Sequence, residues 1–361
     1  MSALPANQKQ VLFAKRPGNG VPDPQKTFQT VVRPLRNELK DGEVLIKNIY
    51  LSLDPTMRGW MTPDPNSYIP PLQPGQVMRC WTSGVVVHSK DPQFAPGDWV
   101  QSNGGWQEYS IEKAKGITKT DRGEGVTLKD SIAILGVTGL TAMCGIFEIG
   151  KAKTGELKPG STVVVSGAAG ATGSVAAMIY KRVLGCRVIG IAGGEDKCSW
   201  LKNSVGLDVA LNYKSATFAK DLKATVGKGG IDEYFDNGGT ILELCLENLA
   251  RNAHIVLCGG ISNYNDFGTA TGPRNYLRLI VAQAKMHGFV VVYWAHKFPE
   301  WRRQLIQWLK EGKVENVVTV VQGIENAPSA LNLLWTGGNT GKLMVEVAPE
   351  PEASSGAKGK L

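Results

Sequence analysis

Apolar and turn-forming positions divide the chain into two textures. Up to about residue 135 the apolar positions come in short β-type runs: Val11-Leu12-Phe13, Glu43-Val44-Leu45-Ile46-Lys47-Asn48-Ile49, Gly84-Val85-Val86-Val87 and Asp98-Trp99-Val100. Turns such as Ala95-Pro96-Gly97-Asp98 separate them, a spacing that predicts a closed or nearly closed β structure. From Leu128 the runs lengthen. Ser131 to Ile149 is a long apolar segment broken by Gly136, Gly139 and Gly145, which predicts a helix leading into a second unit. Lys158-Pro159-Gly160 then predicts a turn.

Beyond that turn, strand and helix signals alternate. Strands are predicted over 163–166, 187–192, 208–211, a run ending Tyr234-Phe235-Asp236, 254–258 and 288–293; helices over 174–184, 196–205, 218–226, 242–249 and 276–284. Alternation of this kind needs right-handed crossovers and predicts an α/β unit with a doubly wound parallel sheet. Trp301, Leu305, Trp308 and Leu309 recur at helical spacing and predict one packed helix face. The segment Pro349 to Leu361 lacks apolar content and predicts a mobile tail.

With 361 residues and 42% apolar content the chain can bury full cores and is too long for one typical domain. No run reaches the roughly 18 apolar residues of a membrane span, and the N-terminus lacks a signal-peptide core, so no membrane partner and a cytoplasmic location are expected. The ending Gly359-Lys360-Leu361 only approximates a peroxisomal address. The six cysteines (Cys80, Cys144, Cys186, Cys198, Cys245 and Cys258) are scattered and read as reduced thiols. A net charge of +8 suits an anionic partner, but the basic residues are spread along the chain. That distribution serves a phosphorylated small ligand as well as nucleic acid, and no nucleic-acid partner is expected.

The candidate chemistry starts at Ala168-Ala169-Gly170-Ala171-Thr172-Gly173, a dinucleotide fingerprint with alanine in its first glycine position. Gly170 lets the backbone approach a pyrophosphate, Gly173 lets the helix pack close, and the helix N-terminus supplies unpaired N–H groups. Ala168, Gly170, Thr172 and Gly173 are therefore cofactor candidates. About 20 residues on, where an NAD enzyme carries Asp or Glu on the ribose, this chain has Gly193-Gly194, which leaves room for a 2′-phosphate. Lys197, and Tyr213 with Lys214, could contact that phosphate, whereas Glu195-Asp196 would repel it if aimed inward. The balance predicts NADPH. The early β region holds a single Cys80 and a single His88, and with no cysteine cluster anywhere in the chain there is no zinc ligand set, so no metal is expected. Hydride transfer without a metal needs an activated acceptor. An alkene conjugated to a carbonyl is one: hydride goes to the β-carbon, and a phenol or ribose hydroxyl stabilises the charge on oxygen.

Several stretches then agree with one family. Leu51-Ser52-Leu53-Asp54-Pro55-Thr56-Met57-Arg58, Gly139-Leu140-Thr141-Ala142, the Ala168 to Gly173 turn, Gly190-Ile191-Ala192-Gly193 with Lys197-Cys198, and Tyr234-Phe235-Asp236-Asn237 are among them. So are Cys258-Gly259-Gly260-Ile261-Ser262-Asn263-Tyr264-Asn265 and Gly338-Asn339-Thr340-Gly341-Lys342. From Val11 to Val347 the chain resembles the zinc-independent medium-chain dehydrogenases/reductases, and within them the prostaglandin reductases (leukotriene B4 12-hydroxydehydrogenases) and plant alkenal double-bond reductases. The resemblance implies a GroES-like β-barrel-type substrate domain (1–136 with 319–348), a Rossmann NADP-binding domain (137–318) and a homodimer. It implies that Lys197 and Tyr213 hold the 2′-phosphate, that Asn237, Cys258 and Ile261 line the cofactor path, and that Asn339 reaches the cofactor from the C-terminal segment. Tyr264 matches the family's active-site tyrosine, positioning the nicotinamide ribose or the substrate carbonyl and stabilising the enolate.

Two departures lie on the substrate side, where Thr56 and Ser83 stand in place of the family's tyrosines. Trp81, Trp106 and Tyr293 are candidates to refill that space. Asp54 and Arg58 read as a structural pair or an interdomain contact. The expected activity is NADPH-dependent reduction of the C=C bond of α,β-unsaturated ketones and aldehydes. A zinc-free quinone reductase and a non-catalytic NADPH-binding protein are the alternatives.

Overall fold

The computed structural model describes residues 4–120, 125–238, 241–266 and 272–351. Its first large sheet is built from β3 (Glu43–Ser52), β4 (Thr82–Ser89), β5 (Trp99–Ser102), β6 (Tyr109–Lys113) and β7 (Thr118–Lys119), all after a separate antiparallel pair, β1 (Asn7–Phe13) and β2 (Phe28–Pro34). The second sheet is laid down next: β8 (Thr162–Ser166), β9 (Arg187–Ala192), β10 (Val209–Asn212), β11 (Ile231–Asp236), β12 (Leu249–Leu257) and β13 (Lys285–Gly288). The chain then returns to the first sheet with β14 (Val318–Gln322) and β15 (Lys342–Glu346), β15 pairing antiparallel to β3. The result is α/β, a parallel doubly wound unit beside a mainly antiparallel one.

The parallel sheet has the order β10-β9-β8-β11-β12-β13. Strand order reverses between β8 and β11, and the crevice beyond their carboxyl ends is where this topology receives a ligand. Val163 and Val165 of β8 enter one apolar cluster and Val164 the other, so both faces of the strand are covered. That is why the run is apolar throughout instead of alternating. Trp301, Leu305 and Trp308 of the helix Phe298–Lys310 are buried against the first of these clusters, with Leu309 packed beside them.

Local elements depart from the sequence pattern in three places. The apolar stretch 131–149 is not one helix: it forms Leu128–Ile132, Val137–Cys144 and a wider turn Gly145–Ile149. The break falls at 133–136, where Gly136 is the extended N-cap of the second helix and a Cβ on it would lie 2.5 Å from the Ile132 carbonyl oxygen. The last strand is 285–288 instead of 288–293, and Val291–Lys297 is a run of tight helical turns. Tertiary packing takes those apolar residues, since Phe289 sits edge-on to Trp294 at 6.4 Å and joins the helix core. The third departure is at the C-terminus. The expected tail from 349 is held at Glu350, which accepts hydrogen bonds from the Tyr50 hydroxyl (3.0 Å) and the Leu128 N–H (2.8 Å). Residues 352–361, with the Gly-Lys-Leu ending, lie outside the described residues. Among the described residues no helix is long and apolar enough to cross a membrane.

One buried acid tunes the stability of the parallel sheet. Glu233 on β11 is fully enclosed and accepts hydrogen bonds from the Tyr180 hydroxyl and the Lys151 N–H. Burial pushes its carboxyl up to about 7, against an ordinary 4.5. Between those values the folded chain keeps a proton that the unfolded chain has released, so stability falls as pH rises through the window. Urea unfolding at pH 5 and pH 8 should show wild type losing roughly 3 kcal/mol relative to Glu233→Gln, at about 1.4 kcal/mol per pH unit of the shift. Parallel pH profiles for the two proteins would contradict this.

Candidate active site

At the end of β8 the chain turns sharply through Gly167, whose φ is +56°. Gly170 caps the helix Ala171–Met178 and donates its N–H to the Gly167 carbonyl at 2.8 Å. A Cβ on Gly173 would meet that same carbonyl oxygen at 2.2 Å, so glycine there lets the first helical turn, with Thr172, lie against the loop. Ala168 is fully buried and donates its N–H to Ile191 of β9. Asn237, one residue beyond β11, donates its backbone N–H to Ser166 Oγ (2.8 Å) and its Nδ2 to the Ser166 carbonyl (2.6 Å). The two strands flanking the switch point are thus joined at their tips, and Ile261 N–H closes onto the Asn237 carbonyl.

The neighbouring turn is built for charge. A Cβ on Gly193 would fall 2.7 Å from the Tyr213 ring, which covers the glycine while remaining 47% exposed. Glu195 accepts a hydrogen bond from Asn212 Nδ2 at 2.8 Å, and Asn212 Oδ1 accepts from the Gly194 and Lys214 N–H groups. One of the two acids that would oppose a phosphate is therefore tied to the loop itself. Lys197 donates to the Gly337 carbonyl at 2.9 Å, and burial, reinforced by the charge of Lys214, lowers its pKa. Two ammonium groups in mutual repulsion, with only a carbonyl as partner, suit a dianion between them. The residues present fit a dinucleotide carrying a 2′-phosphate.

Gly337 belongs to a C-terminal segment that crosses to the cofactor turn. Gly341 donates its N–H to the Ala169 carbonyl at 2.8 Å, and a Cβ on it would stand 2.0 Å from the Val317 oxygen. Asn339 spends its Nδ2 on the Gly341 carbonyl at 3.0 Å, shaping this crossing.

Tyr264 follows the short turn Ile261–Asn263, and its hydroxyl accepts the Gly260 N–H at 3.1 Å. Burial pushes the phenol upward in pKa, the Gly260 N–H pulls it down, and Cys258, Tyr68 and Asp236 add to the upward push. Tyr68 is the residue sequence reasoning missed. Its hydroxyl lies 2.7 Å from Thr56 Oγ1, so a phenol is present beside Thr56, delivered by the loop twelve residues further along the chain. The only signal was an aromatic in a proline-rich stretch, and nothing in its spacing to Thr56 announces the contact. Trp81 is half-buried and lies 5.6 Å from Trp60, over whose ring the Arg79 guanidinium sits at 5.5 Å.

The other substrate-side candidates are not gathered here. Trp106 is fully buried against Phe28 at 5.1 Å and fills the core of the first unit. Ser83 is also fully buried, set in mid-sheet opposite Tyr50 and Gln101. Tyr293 is 69% exposed on the Val291–Lys297 turns, which encloses nothing. Asp54 and Arg58 do not pair with each other: Asp54 pairs with Lys342 at 2.5 Å, and Arg58 bonds Asn265 at 3.0 Å. Among the described residues no group of three or more His, Cys, Asp or Glu converges on a point.

A family model described as the N-terminal domain of oxidoreductase matches residues 9–120, and one described as zinc-binding dehydrogenase matches 171–311. The NADPH-dependent curcumin reductase of Escherichia coli is 37% identical over 316 residues, 85% of this chain and 88% of that protein. The NADP(+)-dependent 2-alkenal reductase of Nicotiana tabacum is 38% identical over 313 residues, 86% of this chain and 88% of that protein. The chain belongs to the zinc-independent medium-chain dehydrogenase/reductase family. The crystal structure of CurA from Vibrio vulnificus in complex with NADPH superposes with a TM-score of 0.83 at 34% identity, covering 94% of this chain and 99% of that one. This medium-chain reductase is an NADP-dependent oxidoreductase, and NADP(H) is its cofactor.

Removing one of the two lysines tests the charged turn. Lys197→Ala should weaken NADPH at least about tenfold, the size of one lost charge-assisted contact. NADH affinity should stay within about twofold in the same fluorescence titration, and an unchanged ratio of the two affinities would refute the assignment.

Proposed function

We propose that this reductase reduces the C=C bond of α,β-unsaturated ketones and aldehydes. One observation carries the reading: a half-buried phenol, Tyr264, stands at the switch-point crevice with its hydroxyl oriented by the Gly260 N–H, while the more exposed Thr56–Tyr68 hydroxyl pair lies within reach of its field. Such a phenol can donate a hydrogen bond to a carbonyl oxygen as charge collects there.

Bound NADPH supplies the hydride. In this reading Ala168, Gly170, Thr172 and Gly173 seat its pyrophosphate, and Gly193, Lys197, Tyr213 and Lys214 receive the 2′-phosphate. Asn237, Cys258, Ile261 and Asn339 line the path between them. Tyr264 stabilises the enolate oxygen as the β-carbon is reduced, and the α-carbon takes its proton from solvent. The raised pKa of Tyr264 keeps the phenol protonated, as a donor must be. Thr56 and Tyr68 offer a second hydroxyl pair to the substrate, with Trp81 as an apolar wall. The curcumin and 2-alkenal reductases among the relatives act on conjugated carbonyl compounds by name, which supports the same class here.

The active form we infer is a homodimer joined at β13. This strand is one of the two edges of the parallel sheet, β10 being the other, and it is the one flanked by exposed apolar residues such as Ile280 (73% exposed), Val281 (77%) and Tyr293 (69%). An open apolar edge of this kind is satisfied by pairing with its own copy across a two-fold axis.

Deuteride from labelled NADPH should appear at the β-carbon of an enone product; label on a carbinol carbon would contradict the reaction. Tyr264→Phe should lower kcat by about tenfold to a hundredfold, as loss of one oriented donor does. Retention of full turnover would remove Tyr264 from the chemistry. Val281→Lys with Ile280→Asp should convert a dimer to a monomer in sedimentation velocity. A wild-type monomer would rule out the pairing.

A further inference from the structure

The turn that follows β3 carries groups the proposed chemistry has not used. Arg58 lies in a helical turn of four residues, Met57–Trp60, and is 1% exposed. A guanidinium without water must find acceptors in the protein. Arg58 donates Nε to Asn265 Oδ1 at 3.0 Å, Nη1 to Thr62 Oγ1 at 3.2 Å, and Nη2 to the carbonyls of Gly18 and, at 3.4 Å, Gly20. Asn265 is the residue after Tyr264. Its own carbonyl accepts the Gly20 N–H at 2.7 Å, so both ends of Asn265 are held by the first unit of the chain.

The base of the turn is as firmly held. Asp54 pairs with Lys342, whose ammonium also donates to the Leu53 carbonyl at 3.0 Å, and Ser52 donates to the other carboxylate oxygen. Two residues before Arg58, Thr56 meets the Tyr68 hydroxyl. One short turn therefore touches both phenols of the crevice: Tyr68 directly through Thr56, and Tyr264 through Arg58 and Asn265.

We infer that Arg58 is a positioning residue for Tyr264, its guanidinium clamping Asn265 so that the phenol borne by the parallel-sheet unit is registered against the substrate wall borne by the other. Tyr264 rides on a loop after β12, and its other hydrogen bonds run to its own segment, at Gly260 and Ile261. Those bonds shape the loop; the Asn265 clamp ties it to the opposite wall. A donor displaced by an ångström loses most of its effect on a transition state while leaving cofactor binding alone. The inference rests on Tyr264 acting as the hydrogen-bond donor, and its test separates the two ideas.

The clamp can be opened from either side, by Arg58→Met or by Asn265→Ala, so that a folding failure in the first leaves the second. Each should lower kcat for an enone by about tenfold, with NADPH affinity within about twofold of wild type. Asn265→Asp keeps an acceptor for the guanidinium and should retain activity within about threefold. Placed in a Tyr264→Phe background, Asn265→Ala should cost less than about twofold more, because a residue acting through the phenol has nothing left to position. Full multiplicative loss in that background, or wild-type kcat in both single variants, would overturn the positioning role while leaving Tyr264 in place. Wild-type kcat in Tyr264→Phe alone would instead bring down the assignment of Tyr264, and this inference with it.

Discussion

The buried ion pair between Lys342 and Asp54 is the constraint on which the rest of the cleft depends. Both side chains are nearly excluded from water, at 2% and 5% exposure. Charges so placed carry a desolvation cost of several kcal/mol each, offset only when every remaining donor and acceptor is met. Here the Leu53 carbonyl gives the ammonium a second acceptor and the Ser52 hydroxyl donates to the second carboxylate oxygen. The pair joins residues 288 positions apart, locking the first residue of β15 to the turn that leaves β3. One residue before Lys342, Gly341 hands its N–H to Ala169 in the dinucleotide turn. A single fixed point thus connects the phosphate cradle to the turn bearing Thr56 and Arg58.

Charge is segregated along the crevice that this point organises. At one end Lys197 and Lys214 repel each other across a loop in which one of the two neighbouring acids, Glu195, is bound to Asn212. At the other end Tyr264 and Cys258 are held neutral by burial, both shifted upward in pKa. The first end suits a phosphate and the second an oxygen that gains charge only during reaction. Low dielectric strengthens a hydrogen bond to that oxygen and would penalise any fixed ion beside it.

Much of the parallel unit could be read from the chain because its elements are local. The helix Phe218–Val226 and the strand Arg187–Ala192 stand where periodicity and β-branched runs put them. The misses share one cause, tertiary packing overriding a local preference. Phe289 and Val291 look like strand residues, yet they serve the helix core better than an edge strand that has only one neighbour. The 131–149 stretch looks like one helix, yet it breaks at 133–136, where Gly136 packs its extended backbone close against Ile132.

The site divides along the same line. The dinucleotide turn and Gly193 with Lys197 were nominated from the chain because each lies in a few consecutive residues whose backbone geometry demands those residue types, whereas Tyr264 was nominated only by the family resemblance. Substrate-side aromatics were not legible, since Trp81, Trp106 and Tyr293 look alike in a sequence and only burial distinguishes the wall from the core and the surface. Sequence by itself determined the class of fold and the NADP(H) cofactor, and the family resemblance nominated Tyr264 as the phenol of the proposed chemistry. Only the tertiary structure decided that Tyr68 meets Thr56, that Asp54 belongs to Lys342, and that Arg58 holds Asn265. Those contacts span between 12 and 288 residues and arise from chain crossings, which no local pattern encodes.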